Sequence, residues 1–442
     1  MKTKTFAIGG IHVDKHKLSS RSAIQELALP DIVYIPVKQH IGAPAKIVVK
    51  VGDRVKVGTL LAEADGVLSA SVYASVSGQV MKIEEVNSGQ GYLETVITVK
   101  REGDEFEDSM DLSDEIIKDI TDNKEELLKI IRSAGIVGMG GAGFPTPVKT
   151  NIPEGKSVDT LIINGIECEP YLTADSRLME EKAEQIVIGA RILNKILGIQ
   201  NAIIAIDENK PQAIARLLEI TKRYVGVNVQ SCKSIYPQGG EKQLINTITG
   251  REVPGGKLPL DAHCVVQNVA TVYAIYEAVQ KHIPLFRRVL TLSGNADLTP
   301  SNYLVRIGTP ISFILQENHV NMDNVGKVIA GGPMMGQAIA ALEAPVTKTT
   351  SGITVLSEKT ADKPETSACI RCGKCVDACP MGLMPLNIRA AVEENDMSIL
   401  KSLHVQDCIL CGTCSYVCPA KIPLLDYCKI GKYELGRQQK AK

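Results

Sequence analysis

The chain has 442 residues, enough for three or four domains, and 44% of them are hydrophobic, which is ordinary for a globular protein. The formal net charge of -1 shows no basic excess of the kind that attracts nucleic acid, so a nucleic-acid partner is not expected. The sequence contains no run of 18 uncharged apolar residues and no apolar signal-peptide core, so it predicts neither a membrane span nor secretion.

The first hundred residues predict an irregular segment followed by an all-β domain. Residues 1–34 are polar, and His12 and His16 are expected in a solvated loop rather than at a metal. Residues 35–100 alternate short Val- and Ile-rich runs with glycine turns, which is typical of hairpins. This pattern resembles the barrel-sandwich domain of biotinyl and lipoyl carriers. The hairpin at 65–70, where such carriers hold a modified lysine, has no lysine, so a structural role is expected.

Residues 120–286 predict a Rossmann-like α/β domain with a mostly parallel sheet, in which ligands bind at the carboxyl ends of the strands. Its first helix is expected to begin at a capping box formed by Asp122 and Glu125 and to end at Gly135. The remaining elements are expected as strands over 160–163, 202–206 and 227–229, and as helices over 176–197 and 211–224.

A small mixed module is expected over 287–345, with a β pattern at 288–313. A Ser/Thr/Lys-rich linker over 347–366 then leads to a cysteine-rich domain at 361–430. The residues between the two cysteine runs of that domain, 387–403, predict a helix.

The cysteine-rich domain uses one pattern, C-x2-C-x2-C-x3-C-P, twice. It is the pattern of bacterial two-cluster ferredoxins, in which the fourth cysteine of each run ligates the other cluster. We therefore expect two 4Fe-4S clusters in an α-helical domain. Zinc bound by two CxxC pairs is the alternative, but it would leave four of the eight cysteines unexplained. The expected ligands are Cys369, Cys372, Cys375 and Cys418 for the first cluster, and Cys408, Cys411, Cys414 and Cys379 for the second.

Four other cysteines, at positions 168, 232, 264 and 428, are expected to be small buried apolar residues. Reduced cluster thiols also favour the cytoplasm.

A second motif lies in the α/β domain. The loop from Gly138 to Thr146 has four glycines within six residues, which lets backbone N–H groups approach a phosphate, and Lys149 adds a cation. A glycine loop alone is equally compatible with a tight turn. It is followed by Asn164-Gly-Ile-Glu-Cys-Glu-Pro170, by Gly239-Gly240-Glu241 and by Gln267-Asn-Val-Ala-Thr271.

These motifs resemble the flavin-bearing subunit of respiratory complex I. Together with the barrel before them and the cysteine runs after them, the chain is similar over about residues 5–430 to the family of Rnf-complex C subunits. The resemblance implies noncovalent FMN, NAD(H), and a β-grasp-like (SLBB) module at 287–345. Ile166 and Gly240 depart from the complex I pattern, which has acidic residues there.

The resemblance also implies roles for individual residues. Asn164, Asn268 and Thr271 would hold the flavin from a second side, and Glu167, Glu169 and Glu241 would lie near the nicotinamide nucleotide. The FMN phosphate and ribityl contacts would come from the glycine loop and its lysine, namely Gly138, Gly140, Gly141, Ala142, Gly143 and Lys149.

The expected function is electron relay between NAD(H) and the two clusters through FMN, because a hydride carries two electrons and a cluster carries one. The resemblance implies a peripheral subunit on the cytoplasmic side of the cell membrane. Its expected partners are the other subunits of an ion-translocating ferredoxin:NAD+ oxidoreductase, including an iron–sulfur subunit that accepts electrons from ferredoxin. A flavin and iron–sulfur subunit of a soluble NADH dehydrogenase or hydrogenase is the alternative, and a scaffold that has lost its flavin is a third hypothesis.

Overall fold

The structure is a computed structural model that describes residues 2–87, 93–361 and 364–440. Within these ranges no helix combines the length and the apolarity that crossing a bilayer requires. The described residues form a β domain, an α/β domain, a mixed β module and a helical cysteine domain. An N-terminal strap, which we define as residues 2–18, contacts the α/β domain and the cysteine domain.

The β domain is a sandwich of two small antiparallel sheets. Its strands are β2 (Ile32–Pro36), β3 (Lys46–Ile47), β4 (Arg54–Val55), β5 (Leu60–Glu63), β6 (Val72–Tyr73), β7 (Gly78–Asn87) and β8 (Leu93–Arg101). The strand orders are β2-β8-β7-β4 and β3-β5-β6. Val33, Ile35, Leu61 and Ile97 fill the space between the sheets and are fully buried. The expected barrel-sandwich fold is thereby confirmed.

The hairpin between β5 and β6 is held against the α/β domain. Arg132 donates to the Gly66 carbonyl at 2.8 Å, and the Ala70 amide donates to the His40 ring at 3.1 Å. Tyr73 donates to the Ser133 carbonyl. The hairpin that carries the modified lysine in swinging-arm proteins is therefore fixed by three polar contacts in this chain.

The α/β domain is built on a four-stranded parallel sheet that is covered by helices. Its elements are α1 (Lys124–Ser133), α2 (Thr146–Thr150), β9 (Thr160–Gly165), α3 (Ala174–Glu181), α4 (Ala183–Leu197), β10 (Ala202–Asp207), α5 (Pro211–Thr221), β11 (Val227–Cys232), α6 (Glu241–Thr249), β12 (Cys264–Asn268) and α7 (Val269–Lys281). The strand order is β11-β10-β9-β12. The apolar faces of the helices, chiefly α4 and α7, pack on this sheet.

Two details of this domain correct the sequence prediction. Helix α1 is capped by Asn123, whose side chain accepts from the Glu126 amide at 3.1 Å, and not by Asp122. The Asp122 carboxylate is instead paired with Lys195 at 2.5 Å. The single helix expected over 176–197 is two helices, because Lys182 has φ -121° and ψ 29° and interrupts the helical hydrogen bonding.

The mixed module contains a six-stranded sheet. Its elements are β1 (Ile24–Glu26), β13 (Arg287–Gly294), β14 (Ser301–Arg306), α8 (Ile311–Glu317), β15 (Val325–Ala330), β16 (Gln337–Ala338), β17 (Gly352–Ser357) and α9 (Glu358–Ala361). The strand order is β1-β14-β13-β17-β15-β16. Strand β17 corrects the expected linker over 347–366, because Ile353 and Val355 are fully buried in the centre of this sheet. The rest of that linker includes residues 362 and 363, which lie outside the described residues.

The N-terminal segment also differs from its expected irregular form. Strand β1 pairs in parallel with β14 at the edge of the module sheet. Residues 311–313, for which the sequence predicts a β pattern, lie in helix α8, because α8 begins directly after Pro310. A proline fixes φ near the helical value, so it suits a helix start.

Lys348 joins three of the units. It is fully buried, and its ammonium donates to the carbonyls of Ser71 at 2.6 Å and Gly135 at 2.7 Å. Its backbone carbonyl accepts from Arg288 at 2.5 Å. A single residue therefore connects the β domain, the end of α1 and the start of the mixed module.

The cysteine domain is helical, as expected. Its helices are α10 (Lys374–Asp377), α11 (Pro385–Glu393), α12 (Met397–Ser402), α13 (Thr413–Tyr416) and α14 (Leu424–Lys440). The two cysteine runs contain the short helices α10 and α13, and α11 and α12 lie between them in the chain.

Candidate functional site

The glycine loop follows α1 and is anchored from beneath by Thr271. The Met139 amide donates to the Thr271 hydroxyl at 2.9 Å, and that hydroxyl donates to the Val137 carbonyl at 3.3 Å. Thr271 is fully buried at the start of α7. It therefore shapes the loop, and its hydroxyl is already used by the protein.

The glycines of this loop differ in what surrounds them. A Cβ on Gly140 would meet the Asn268 side chain at 2.8 Å. Gly143 has φ +69°, and a Cβ there would lie 2.9 Å from the Gln39 carbonyl oxygen. A Cβ on Gly141 would meet no atom within 4 Å. Gly140 and Gly143 are thus required by packing, whereas Gly141 faces open space.

Lys149, which follows the glycine loop in the chain, forms an ion pair with Glu241. The Lys149 ammonium, in α2, lies 2.7 Å from the Glu241 carboxylate at the first residue of α6, and both side chains are partly exposed. A partly exposed pair of this kind contributes only about 0–1 kcal/mol to stability. The family resemblance assigned these residues to two different ligands, and the structure brings them together.

Glu167 is used locally. It has φ +47°, and its carboxylate accepts from the amides of Asp175 at 2.8 Å and Ser176 at 3.2 Å, in the first turn of α3. A carboxylate at a helix N-terminus satisfies amides that have no helical partner. Glu167 therefore caps a helix whose start lies beside the glycine loop.

Asp175 is a site residue that the sequence motifs did not select. Its carboxylate accepts from the Asn268 amide at 2.7 Å, and Asn268 in turn packs against Gly140. Burial first, and then the neighbouring Glu167 charge, raise the pKa of Asp175 to about 7. Its position directly after the Asn164–Pro170 motif is the only sequence signal that could have identified it.

Glu169 joins the α/β domain to the mixed module. Its carboxylate accepts from the amides of Met334 at 3.0 Å and Met335 at 2.8 Å, in the glycine-rich turn between β15 and β16. Burial raises the pKa of Glu169 to about 7 against the lowering effect of these two hydrogen bonds. Asn164 contributes a further link, because its amide donates to the Gly239 carbonyl at 2.9 Å.

The loop that carries both glutamates is held by the N-terminal strap. The Lys17 ammonium donates to the carbonyls of Glu167 and Glu169, each at 2.9 Å, and to that of Leu172 at 2.5 Å. Burial lowers the pKa of Lys17 to about 8. No sequence pattern indicated this contact, because its partners lie about 150 residues further along the chain.

Four of the expected cluster ligands line one cavity. Cys379, Cys408, Cys411 and Cys414 surround it together with Cys428, and the first four are the residues that the sequence assigned to the second cluster. In the described parts of the chain, no three Cys, His, Asp or Glu side chains are placed to share one metal ion. Sulfurs spread around a cavity suit a cube-shaped cluster, so the donor set fits a 4Fe-4S group.

The other four expected ligands differ in exposure: Cys369 and Cys372 are exposed, Cys375 is partly buried and Cys418 is buried close to Cys414. Cys375 packs with Cys418 in a small apolar cluster. The Ser367 amide donates to the Ala420 carbonyl at 3.0 Å, which brings the segment before Cys369 alongside the end of the second run. The exchange of the fourth cysteine between the runs stays a prediction.

The second cysteine run and the end of the first, residues 378–380, rest together on the α/β domain and the strap. The buried Tyr236 hydroxyl donates to the Cys411 carbonyl at 2.8 Å, and Gln243 of α6 donates to the Pro380 carbonyl at 3.2 Å. The strap lies in the same interface, where the Gly10 amide donates to the Ala378 carbonyl at 3.1 Å. Helix α6 thus connects the Lys149–Glu241 pair at its start to the cysteine domain along its length.

Three family models match separate parts of the chain: an RnfC barrel-sandwich hybrid domain at 4–104, a Nuo51 FMN-binding domain at 131–277 and a 4Fe-4S dicluster domain at 368–422. A flavin domain joined to a dicluster domain defines an iron–sulfur flavoprotein of electron transport.

Whole-chain relatives give the family. The C subunit of the proton-translocating ferredoxin:NAD(+) oxidoreductase complex of Clostridium ljungdahlii is 45% identical over 85% of this chain and 82% of its own length. The Na(+)-translocating counterpart of Acetobacterium woodii is 42% identical over 98% and 97%, and the C subunit of the ion-translocating oxidoreductase complex of Rhodobacter capsulatus is 39% identical over 99% and 85%. The chain belongs to the family of C subunits of Rnf-type ion-translocating ferredoxin:NAD+ oxidoreductase complexes.

Proposed function

We propose that this chain passes electrons between NAD(H) and two 4Fe-4S clusters by way of noncovalently bound FMN. The observation that carries the proposal is the contact between the four-cysteine cavity and the α/β domain. This cavity rests on the domain that bears the glycine loop, through the Tyr236 and Gln243 contacts. Two cofactor sites joined by one packed interface suit a relay within a single subunit.

The flavin would lie over the glycine loop. Gly141, Ala142 and Gly143 would offer backbone amides to its phosphate, and Lys149 would supply a cation at the same edge. Gly138 and Gly140 would let the loop approach closely, while Asn268 and Thr271 hold its shape from beneath. When bound, FMN would supply the conversion between two-electron and one-electron transfer.

The three glutamates would border the nicotinamide nucleotide. Glu241 would act directly, because it lies at the open edge beside Lys149. Glu167 and Glu169 would act as positioning residues, because both carboxylates are already bound to backbone amides. Asn164 would hold the same loop by its contact with Gly239.

Eight cysteines would hold the clusters. Cys379, Cys408, Cys411 and Cys414 would bind one, and Cys369, Cys372, Cys375 and Cys418 the other. We place the subunit on the cytoplasmic side of the membrane, docked on the other subunits of the complex. One of these would be an iron–sulfur subunit that accepts electrons from ferredoxin.

The test uses anaerobically purified protein with intact clusters, with and without its flavin. With FMN bound, NADH is expected to give a reduced-cluster EPR signal, whereas flavin-free protein should leave its clusters oxidised. Dithionite, a one-electron donor, should reduce both samples. Prompt reduction of flavin-free protein by NADH would overturn the proposed electron path.

The alternative function, that of a soluble dehydrogenase or hydrogenase subunit, can be distinguished by the proteins with which this chain purifies. Gentle solubilisation of membranes followed by purification should recover this chain with membrane subunits. Recovery with soluble subunits alone would favour the alternative.

A further inference from the structure

The two cysteine runs have the same local backbone. Arg371 in the first run and Leu410 in the second occupy equivalent positions and have φ values of +54° and +57°. Gly373 and Gly412 are likewise equivalent, with φ values of +77° and +81°. The runs therefore differ in their side chains and their surroundings rather than in their local backbone.

Equivalent residues of the two runs differ in how far they are buried. Cys411 and Gly412 of the second run are buried, with Met334 and Tyr236 of the neighbouring units packed over them. In the first run, every residue from 364 to 374 is exposed, including Cys369 and Cys372. Ile370 is 69% exposed, whereas its equivalent Ile409 is partly buried. The chain thus covers the second run and the end of the first, residues 378–380, and leaves residues 364–374 open.

The open run has a positively charged rim. Arg371, Lys374 and Lys421 are exposed around it, against Glu365 and Asp377. Lys421 belongs to this rim because its carbonyl accepts from the Thr366 hydroxyl at 3.4 Å. An exposed aliphatic side chain near an excess of exposed cations suits a protein surface that is apolar at its centre and acidic at its edge.

We propose that residues 364–374, with Lys421, form the docking face for a partner protein that carries a one-electron redox centre within an acidic surface. The inference rests on the proposed function and deepens it, because it gives the two clusters different tasks. The second run, with residues 378–380, faces the flavin domain, and residues 364–374 face the partner. Each encounter would move one electron from the partner's reduced centre to the cluster of the first run, with no bond formed and no proton transferred.

The experiment uses the full-length holoprotein and, as a probe, a small acidic two-cluster ferredoxin. The variant R371N/K374E removes the positive rim, with Asn chosen because it tolerates the left-handed conformation of position 371. The matched control is K257E, which alters an exposed lysine beside the covered run. Iron and sulfide counts establish that each protein has its full clusters.

Two quantities are measured. One is the affinity for labelled oxidised ferredoxin, from fluorescence anisotropy, and the other is the rate of cluster reduction by reduced ferredoxin in stopped flow. At low ionic strength, R371N/K374E is expected to weaken binding and slow reduction about tenfold, while K257E changes neither. If R371N/K374E binds ferredoxin and is reduced like the unaltered protein, the inference is wrong, and a loss of binding in K257E would place the docking face at the second run.

Reduction by NADH separates this inference from the proposed function. If NADH reduces the clusters of all three proteins equally, the relay is intact and the ferredoxin results decide the docking face. If NADH fails to reduce the unaltered holoprotein, the relay itself is wrong.

Discussion

The pKa of the Asp175 carboxyl group depends strongly on its surroundings. This group lies between Glu167 and Asn268, and its pKa is raised to about 7. As pH rises from about 4 to 7, the unfolded chain releases this proton while the folded chain retains it. The free energy of unfolding therefore falls with pH in this range and is constant above it.

We expect D175N to remove part of this dependence. In flavin-free protein, the variant should gain about 1–3 kcal/mol relative to the unaltered chain between pH 5 and pH 8. Thermal unfolding at the two pH values measures the difference. The exposed D14N variant is the control, and an equal pH dependence in D175N and the unaltered protein would contradict the expectation.

Gly141 tests the flavin site directly. Its missing Cβ faces open space, so G141V should fold, retain its clusters and lose FMN, since the valine side chain would occupy the phosphate position. FMN and iron per chain are the measurements. G143V is the contrasting variant, because φ +69° and the Gln39 carbonyl oppose any side chain there, and it should lower the melting temperature. Stoichiometric FMN in G141V would place the flavin elsewhere.

Among individual residues, the sequence predicted the glycine loop and the cysteines as sites, because the spacing within each motif suits the group that it would bind. It assigned Lys149 and Glu241 to separate ligands, and it did not select Asp175. Their relation depends on α2, α6 and α3 meeting at one edge of the sheet, and no local pattern encodes that meeting.

At the scale of elements, the N-terminal strap holds the loop at 167–172 through the hydrogen bonds of Lys17. Removing this side chain leaves three carbonyls without their donor, so K17A should destabilise the fold by about 2–5 kcal/mol and increase hydrogen exchange at 167–172. K38A alters an exposed lysine and serves as the control. Unchanged exchange in K17A would show that the loop is held by its own contacts.

The β5–β6 hairpin gives another expectation at the scale of elements. It has no lysine and is fixed to α1 and His40, so the intact chain should carry neither biotin nor a lipoyl group. The mass of the purified protein checks this. An added mass equal to either group would contradict the structural role.

Strong periodic patterns predicted β9, β10, β11, α1 and α5 of the α/β domain, apart from their boundaries, and predicted α3 and α4 as one helix. Strand β12 and helices α2, α6 and α7 were not predicted. Strand β17 was missed because the Ser- and Thr-rich residues just before it resemble a linker, although its alternating Ile353 and Val355 are buried. Strand β1 is three residues long, and only its parallel pairing with β14 gives it a strand conformation.

For the whole molecule, the exchange of the fourth cysteine makes a sharp prediction. C379A should damage the cluster that also uses Cys408, Cys411 and Cys414, whereas C372A should damage the other one. The iron content, expected at about eight atoms in the unaltered chain, and the EPR spectrum of each variant are the measurements. C264A changes a buried cysteine outside the runs and should retain both clusters. Zinc without sulfide in the anaerobic protein would contradict the assignment.

The order of the modules was predictable at this scale, because each has its own motif. How the modules pack against one another was not predictable. Their interfaces depend on single residues such as Lys348 and Tyr236, and no sequence pattern indicates the contacts of these residues. A buried lysine that joins three units looks, in sequence, like any surface lysine.

The strap has a consequence for biosynthesis. Its residues are among the first of this chain to leave the ribosome, but Gly10 binds Ala378, and Lys17 binds the loop at 167–172. Loop closure over such separations is slow, and the partner of Gly10 must be translated before the contact can form. The strap therefore closes late in maturation, once the cysteine domain has been made, and until then the edge of the α/β domain that receives that domain stays open.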